Sequence, residues 1–244
     1  MSGSINQNYL TVFQAIRWLL APLLGPHGAV VQYLVSGYAR SCKHVLDLGA
    51  RRSPYTHGLS GMVVGLDLPA AHEEKLGFTP QSLTRYDQSR RFPVFGRGEQ
   101  LPFQNDTFDA ILLIEAIEHI GPDREAIKEI HRVLRPGGVL VLTTPNGDTF
   151  PRPTKHHVRH YTSMVLRKLV GEHLSIERFW CLFPQGKLWD ESVVSVKKMI
   201  EARDVRSLLH HVGALALYWP KTLAWFWAGK AKGTTTLVLV ARKP

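Results

Sequence analysis

Short apolar runs alternate with polar or helix-like stretches along the middle of the chain. Seven runs have the length and composition of β-strands: His44–Leu48, Met62–Asp67, Pro93–Gly96, Ala110–Ile114, Val139–Thr143, Ser175–Cys181 and Thr234–Ala241. Apolar positions recur with helical spacing in Asp123–Leu134 and Ser163–Leu174, and Thr162 is a candidate N-cap for the second helix. Strands that alternate with helices are typical of a parallel sheet, so the pattern predicts an α/β fold. Arg135-Pro136-Gly137-Gly138 is predicted to end the first helix and turn into the next strand.

Two long apolar stretches flank this part of the chain. Residues 18–39 contain no Asp, Glu, Lys or Arg, but prolines and glycines at 22–28 interrupt them. Because proline and glycine break helices, we predict two short helices at about 8–24 and 28–41 rather than a membrane span. The second stretch, residues 207–229, is broken by a proline and is not a span either, and no positive charge precedes the first stretch as a signal peptide would require.

These patterns predict a single domain with four parts. A helical N-terminal arm occupies residues 1–42, and the core occupies 43–186. A helical and aromatic insertion at 187–232 precedes the closing strand at 233–244. A chain of 244 residues is long enough to bury one sizeable core.

Composition and charge narrow the function classes. With 44% hydrophobic residues the chain is neither disordered nor fibrous, and its two cysteines lack the spacing of a metal site or a disulfide framework. The 30 Lys and Arg residues against 20 Asp and Glu residues give a net charge of +10. This balance favours an anionic partner, which leaves nucleic acid, a membrane surface and an acidic metabolite open.

Two strand ends carry the residues that a nucleoside cofactor needs. The first strand runs into Asp47-Leu48-Gly49, and the second strand ends at Asp67, twenty residues further on. A glycine turn allows close approach of the backbone, and a carboxylate can accept two ribose hydroxyls. The turn reads Gly49-Ala50-Arg51 and lacks the GxGxxG pattern, which disfavours NAD.

A third group of polar residues follows the fourth strand. Glu115 stands at its carboxyl end, and Glu118 and His119 come directly after it. Ligands bind at this end of the strands in open α/β sheets, so these residues are candidates for the site. A solvated helix start, which acidic residues favour, is the alternative explanation for Glu118 and His119.

Taken together, the chain resembles a class I S-adenosylmethionine-dependent methyltransferase of the type 11 group. The matching stretches, in the order of the family, are Val45–Gly49, Val64–Asp67, Glu99–Phe103, Phe108–Asp109 with Glu115–His119, and Arg132–Gly138. The resemblance implies a Rossmann-like, mostly parallel sheet of seven strands with one reversed strand, and S-adenosylmethionine as the cofactor. It also implies that the Gly49 turn lies against the methionine part, that Asp67 binds the ribose and that the loop 98–100 follows the adenine. The implied cofactor-binding residues are Asp47, Gly49, Ala50, Asp67, Leu68, Gly98, Glu99, Gln100, Ile114 and Glu115.

The sequence departs from the family at two positions. Arg51 stands where the family usually has a second glycine, and Arg97 stands where many relatives have an acidic residue near the adenine. Arg51 can turn outward or bind the carboxylate of the cofactor, and Glu99 can replace the missing acid. The alternative is a weakened donor site in a non-catalytic binding protein.

On the acceptor side, His119 is the predicted general base and Glu118 the carboxylate that orients it, both in the catalytic set. The pattern Glu115-x-x-Glu118-His119 also resembles that of quinone O-methyltransferases, in which two carboxylates and a histidine can hold a divalent cation. The same pattern is common in relatives without a metal, so we predict no metal site.

The segment Lys155–Thr162 resembles a signature of glycan- and lipid-pathway methyltransferases. Arg159, His160 and Tyr161 are the predicted substrate-binding residues, with a solvated basic loop as the alternative. Three histidines in this segment lie among no cysteine or carboxylate, so they predict no metal site either.

The insertion concentrates aromatic residues. Residues 218–232 contain three of the six tryptophans and end in lysines, a composition suited to an anionic membrane surface. A lid packed on the N-terminal arm and a protein partner are the alternatives.

We therefore predict a methyltransferase that acts on an oxygen of a small, lipid- or glycan-linked acceptor. The expected location is the cytoplasm, with peripheral attachment to the inner face of the membrane. An RNA-directed methyltransferase and a non-catalytic binding protein are the alternatives, although the scattered basic residues make nucleic acid the weaker partner.

Overall fold

The computed structural model describes four stretches of the chain, residues 26–56, 58–69, 90–184 and 233–244. Two predictions, the helix at 8–24 and the insertion at 187–232 with its aromatic segment, lie outside the described residues. No helix in the described part of the chain is long and apolar enough to cross a membrane.

The chain divides into two compact units. One comprises residues 1–33 and 183–227, and the other comprises residues 34–182 and 228–244. The second unit contains nearly all of the described residues, and the following paragraphs concern it. The single-domain organisation with its four parts stays a prediction.

Seven strands and three α-helices form within the described residues. The strands are β1 His44–Leu48, β2 Met62–Asp67, β3 Arg91–Phe95, β4 Phe108–Ile114, β5 Leu134–Pro145, β6 Ser175–Pro184 and β7 Thr234–Arg242. The α-helices are α1 Pro26–Ala39, α2 Asp123–Val133 and α3 Ser163–Gly171, and short 3-10 helices span Ala50–Arg52 and Ile117–His119. These elements confirm the predicted strands and the predicted helices that fall on described residues, with shifted ends.

The described strands form one sheet in the order β3-β2-β1-β4-β5-β7-β6. Four neighbouring pairs, β1–β2, β2–β3, β1–β4 and β4–β5, are parallel, and β7 is antiparallel to β5. The predicted Rossmann-like, mostly parallel sheet is confirmed. The chain builds outward from β1 in both directions, so β1 and β4 are neighbours at the point where the strand order reverses. Open α/β sheets bind their ligands outside the carboxyl ends of the strands at such a point.

The prediction of a turn at Arg135–Gly138, between the helix and the next strand, is wrong. Strand β5 begins at Leu134, directly after α2, and its register with β4 shifts near its start. The residues therefore form a bulge inside the strand. Pro136 cannot donate a ladder hydrogen bond, and Gly137 adopts φ +74° and donates its N–H to the Lys243 carbonyl at 2.9 Å.

The two helices that follow β4 and β5 are held by different interactions. Helix α2 buries one apolar face, formed by Ala126, Ile127, Ile130 and Val133. Helix α3 has the predicted N-cap, because Thr162 Oγ1 accepts the N–H of Val165 at 3.3 Å. These anchors hold the loops at the carboxyl edge of the sheet in place.

Candidate active site

The sheet register brings the predicted site residues to one edge. Leu48 of β1 pairs with Leu66 of β2, and Asp47 pairs with Leu112 of β4. Because the three strands are parallel, the residues that end or directly follow them lie at the same carboxyl edge. These residues are Gly49, Ala50, Asp67, Leu68, Ile114 and Glu115.

The turn after β1 requires a glycine for two separate reasons. Gly49 has φ +83°, and its N–H donates to the Leu66 carbonyl at 2.8 Å. A Cβ atom at this position would lie 2.7 Å from Cβ of Ala116, which follows β4. Both the left-handed backbone and the close contact between the two loops exclude a side chain.

We expect Gly49→Ala to lower the free energy of unfolding by about 2–6 kcal/mol, from backbone strain of about 1–3 kcal/mol and overpacking of about 1–3 kcal/mol. Urea denaturation of the full chain measures this loss. Gly137→Ala is the matched control, because Gly137 also has a positive φ but a Cβ there meets no atom within 4 Å. Equal losses in the two variants would contradict a role for the contact with Ala116.

Asp67 is held by the backbone on both carboxylate oxygens. Oδ2 accepts the N–H of Arg51 at 3.0 Å, and Oδ1 accepts the N–H of Leu68 at 2.8 Å. Burial raises the pKa of Asp67 above its ordinary value, while these two hydrogen bonds act to lower it. The side chain is therefore fixed in orientation, and each oxygen keeps a lone pair for a ligand.

The loop predicted to follow the adenine lies next to the end of β2. The N–H of Gly96 donates to the Asp67 carbonyl at 3.1 Å, and a Cβ atom at Gly98 would lie 2.8 Å from Cδ1 of Ile120. Arg97 forms an ion pair with Glu99 at 3.2 Å. Glu99, the acid predicted to replace the family's carboxylate, is therefore paired with Arg97. The N–H of Gln100 donates to the Arg97 carbonyl and closes the turn.

Three buried polar atoms in or just after β1 make no hydrogen bond within the described residues. They are Oδ2 of Asp47, Nη1 of Arg51 and Oγ of Ser53. Asp47 is 1% exposed, and burial raises its pKa to about 7. Because Nη1 of Arg51 is buried, this part of the side chain does not turn outward into solvent.

On the acceptor side, the two glutamates contact consecutive threonines of β5. Glu115 has φ +49°, and its Oε1 accepts the hydroxyl of Thr143 at 2.9 Å. Glu118 is 1% exposed, and its Oε2 accepts the hydroxyl of Thr144 at 3.0 Å. Burial raises the pKa of Glu118, and the nearby charge of Glu115 raises it further.

A cluster of histidines faces these carboxylates. His119 Nδ1 lies 2.7 Å from the His156 carbonyl oxygen, and its ring meets that of His157 edge to face at 4.7 Å. His157 Nδ1 lies 2.7 Å from Nε2 of His160, whose Nδ1 lies 2.7 Å from the Phe150 carbonyl. The structure thus brings the predicted base and the segment 155–162 together.

All three predicted substrate-binding residues donate hydrogen bonds within the protein, His160 to the Phe150 carbonyl and the other two to Asp123. Arg159 forms an ion pair with Asp123, and the Tyr161 hydroxyl donates to Oδ2 of Asp123 at 2.9 Å. Tyr161 is 1% exposed. These contacts anchor the segment to the start of α2, so the roles of Arg159, His160 and Tyr161 in substrate binding stay predictions.

Sequence reasoning missed three kinds of partner in this site. From the sequence, Thr143 was only the last residue of a predicted strand and Thr144 the residue after it, so their hydroxyls were not recognised as partners of the glutamates. Asp123 carried the signal of an acidic residue in the first turn of a helix, and His157 was seen without its link to His119.

A comparison with known families identifies the fold that carries this site. Residues 46–142 match the family model described as a methyltransferase domain. The match covers 97 of the 244 residues, so this part of the chain is similar to methyltransferase domains. Members of this family depend on S-adenosylmethionine, which confirms the predicted cofactor at the level of the family.

Curated relatives match part of this chain. A demethylmenaquinone methyltransferase of Lactiplantibacillus plantarum is 31% identical over 117 residues, which cover 45% of this chain and 48% of the relative. The sterol methyltransferase-like 3 protein of Botryococcus braunii is 40% identical over 68 residues, or 26% of this chain and 17% of the relative. The chain thus aligns with less than half the length of either relative.

Solved structures resemble it over a larger share. An S-adenosylmethionine-dependent methyltransferase from Mesorhizobium loti has a TM-score of 0.57 and 14% identity, covering 91% of this chain and all of that one. The [4+2]-cyclase SpnF has a TM-score of 0.56 and 14% identity over 94% of this chain and 95% of that one. At these identities the likeness shows the fold alone.

The residues at the carboxyl edge fit S-adenosylmethionine. Its ribose hydroxyls match the two-oxygen acceptor of Asp67, and the charged methionine part matches the unpartnered atoms of Asp47 and Arg51. Buried polar atoms without a partner are rare in folded proteins, so a ligand that supplies partners would explain them. Arg51 at the position of the family's second glycine is therefore compatible with donor binding.

We expect Arg51→Ala to weaken the binding of S-adenosylmethionine by about 10- to 100-fold, because a hydrogen bond to a charged group contributes about 1.5–3 kcal/mol. Isothermal titration calorimetry measures the change. Arg124→Ala is the control, because that side chain is 63% exposed and pairs with Glu172, outside the predicted donor residues. An unchanged affinity in Arg51→Ala would show that the guanidinium does not contact the donor.

Proposed function

We propose that this protein transfers the methyl group of S-adenosylmethionine to an oxygen of a small-molecule acceptor. One observation carries the proposal: a donor half, Gly49 and Asp67, and an acid–base half, Glu118 and His119, meet at the edge where β1 and β4 are neighbours. The family match supplies the donor chemistry, and the geometry of the second half supports proton removal.

Different residues of the donor half would bind different parts of the cofactor. Asp67 would hold the ribose, the loop at 98–100 would follow the adenine, and Asp47 and Arg51 would face the methionine part. Because Gly49 carries no side chain, the backbone of the turn can approach the ligand closely. The bound cofactor supplies an activated methyl group for in-line displacement.

The acceptor half would position the oxygen and take its proton. His119 Nδ1 points at a carbonyl oxygen, which can only accept, so Nδ1 carries the hydrogen and Nε2 of the neutral ring has a free lone pair. Nε2 would accept the acceptor's proton as oxygen attacks the methyl carbon and the carbon–sulfur bond breaks. Glu118, fixed by Thr144, would stabilise the imidazolium that forms.

The acceptor class is proposed from the surroundings of the site. The curated relatives are named for demethylmenaquinone and sterol methylation, which supports a small apolar acceptor over RNA. The composition of residues 218–232 favours a lipid-linked acceptor taken from an anionic membrane surface, with the protein peripheral on its cytoplasmic face. A glycan-linked acceptor remains compatible with the basic segment 152–159.

Binding of the donor without methyl transfer is the second candidate. Arg51 favours it, since a side chain stands where the family has glycine, and the resemblance of a [4+2]-cyclase shows that this fold also serves other chemistry. This alternative predicts donor binding but no consumption of the methyl group.

The test uses the full chain and donor labelled on its methyl group. The protein is incubated with total bacterial lipid extract, with a water-soluble glycan fraction and with RNA, and label is counted in each. We expect transfer to the lipid fraction and binding of the donor by calorimetry. Label only in RNA would overturn the acceptor class, binding without transfer would support the second candidate, and no binding would overturn both.

A further inference from the structure

We propose that Glu118, His119 and His157 form a binding site for a divalent transition-metal ion. Each of the three side chains offers a ligand atom, and these atoms lie within 4.8 Å of one another. His157 comes from the segment after β5, 38 positions from His119, so the fold and not a local motif assembles the site. This proposal departs from the prediction of no metal site made from the sequence, because His157 completes the ligand set. It goes beyond methyl transfer and does not depend on it.

The first ring is oriented for coordination by the backbone. His119 Nδ1 lies 2.7 Å from the carbonyl oxygen of His156, which can only accept a hydrogen bond. Nδ1 therefore carries the hydrogen, and Nε2 of the neutral ring is left with a lone pair. A histidine that donates one ring N–H to a carbonyl while the other nitrogen ligates is the common arrangement in metal sites.

The second ring is oriented by a chain of two hydrogen bonds. His160 Nδ1 lies 2.7 Å from the Phe150 carbonyl and must be its donor, so Nε2 of a neutral His160 is an acceptor. That Nε2 lies 2.7 Å from Nδ1 of His157, which therefore donates. His157 Nε2 is left with a lone pair, so both rings present the same free nitrogen.

The charge of the site also favours a cation. Glu118 is 1% exposed and accepts one hydroxyl, from Thr144, and it forms no ion pair with lysine or arginine within the described residues. Two neutral imidazoles bring no charge to balance a buried carboxylate, whereas a divalent ion does.

The donor set selects the class of ion. Two imidazole nitrogens and one carboxylate oxygen suit Zn²⁺, Co²⁺ or Fe²⁺, whereas Mg²⁺ prefers oxygen alone. Three protein ligands leave a coordination position open, as in catalytic zinc sites. With the ion bound, Nε2 of His119 is occupied, so the metal-bound form would not use His119 as the general base proposed above.

Metal titration of the full chain tests the proposal. The chelator-treated protein is titrated with Zn²⁺ by calorimetry and with Co²⁺ by visible absorption, with Mg²⁺ as competitor. We expect one tight equivalent that Mg²⁺ does not displace and a Co²⁺ spectrum with nitrogen ligation. His157→Gln and Glu118→Gln should each weaken binding by about 100-fold or more.

Two further variants separate the site from general affinity of histidines for metals. His160→Leu keeps all three ligands but removes the acceptor that orients His157, and it should weaken binding by about 10- to 100-fold. His173→Gln changes a member of another histidine pair, with His131 at 6.0 Å, and should leave binding unchanged. All variants are first checked for an unchanged melting temperature and unchanged S-adenosylmethionine affinity.

Several results would overturn the metal site. They are the absence of a tight equivalent in the wild-type chain, wild-type affinity in His157→Gln, displacement by equal Mg²⁺, or equal weakening by His173→Gln. Failure of methyl transfer with intact metal binding would overturn only the proposed function. Intact transfer without metal binding would overturn only the metal site.

Discussion

Replacing Asp67 with asparagine should weaken the binding of S-adenosylmethionine by about 100-fold. Both carboxylate oxygens accept a backbone N–H group, from Arg51 and from Leu68. In the asparagine variant the NH₂ group would face one of these N–H groups, and it could not accept its hydrogen bond. The side chain would lose its orientation and one acceptor for a ribose hydroxyl. A 100-fold change corresponds to about 2.7 kcal/mol, within the range for hydrogen bonds to a charged group.

Calorimetry with the full chain measures this effect, and Asp106→Asn is its matched control. The control makes the same chemical change at an exposed position before β4, where the Asp106 carboxylate forms an ion pair with Lys243 at 2.7 Å. We expect wild-type affinity in the control. If the Asp67 variant also bound with wild-type affinity, the ribose would lie elsewhere and the donor half of the site would have to be reassigned.

Replacing His119 with glutamine should lower the rate of methyl transfer by about 10²–10⁴-fold, the usual contribution of a general base. Glutamine can still donate to the His156 carbonyl, but it cannot take a proton from the acceptor. The affinity for S-adenosylmethionine should not change, because His119 is not among the predicted donor-binding residues. Initial rates at saturating donor, with the extract fraction that supports wild-type turnover, measure the effect.

His131→Gln serves as the control for this substitution, since His131 lies on α2 and contacts His173 rather than the acceptor half. Its rate should equal that of the wild type. A His119 variant that turns over at the wild-type rate would show that the acceptor needs no base. That outcome would favour an acceptor atom that reacts without losing a proton first.

The strands could be predicted from the sequence because apolar runs of the right length ended at polar residues with a chemical role. The start of β5 could not, since Arg135-Pro136-Gly137-Gly138 has the composition of a turn. The structure instead continues the strand through these residues, because the N–H of Gly137 donates to the carbonyl of Lys243, directly after the neighbouring β7. That partner lies more than a hundred positions away and leaves no local signal.

The donor half was predictable for a similar reason, since Gly49 and Asp67 each directly follow or end a strand. The acceptor half was predictable only in part. The uses of Arg159 and Tyr161 depend on Asp123, and the use of His119 depends on His156 and His157. These contacts follow from the path of a loop between β5 and α3, which neither spacing nor periodicity determines.

The position of the strand-order reversal has a consequence for how this protein could change its substrate. The residues proposed to hold the donor come from one side of the β1–β4 boundary, and those proposed to face the acceptor come from the other. Loops on the second side can be exchanged while the donor loops keep their own hydrogen bonds. If residues 147–162 were replaced by the corresponding loop of a methyltransferase with the same fold, the acceptor should change while the binding of the methyl donor stays the same.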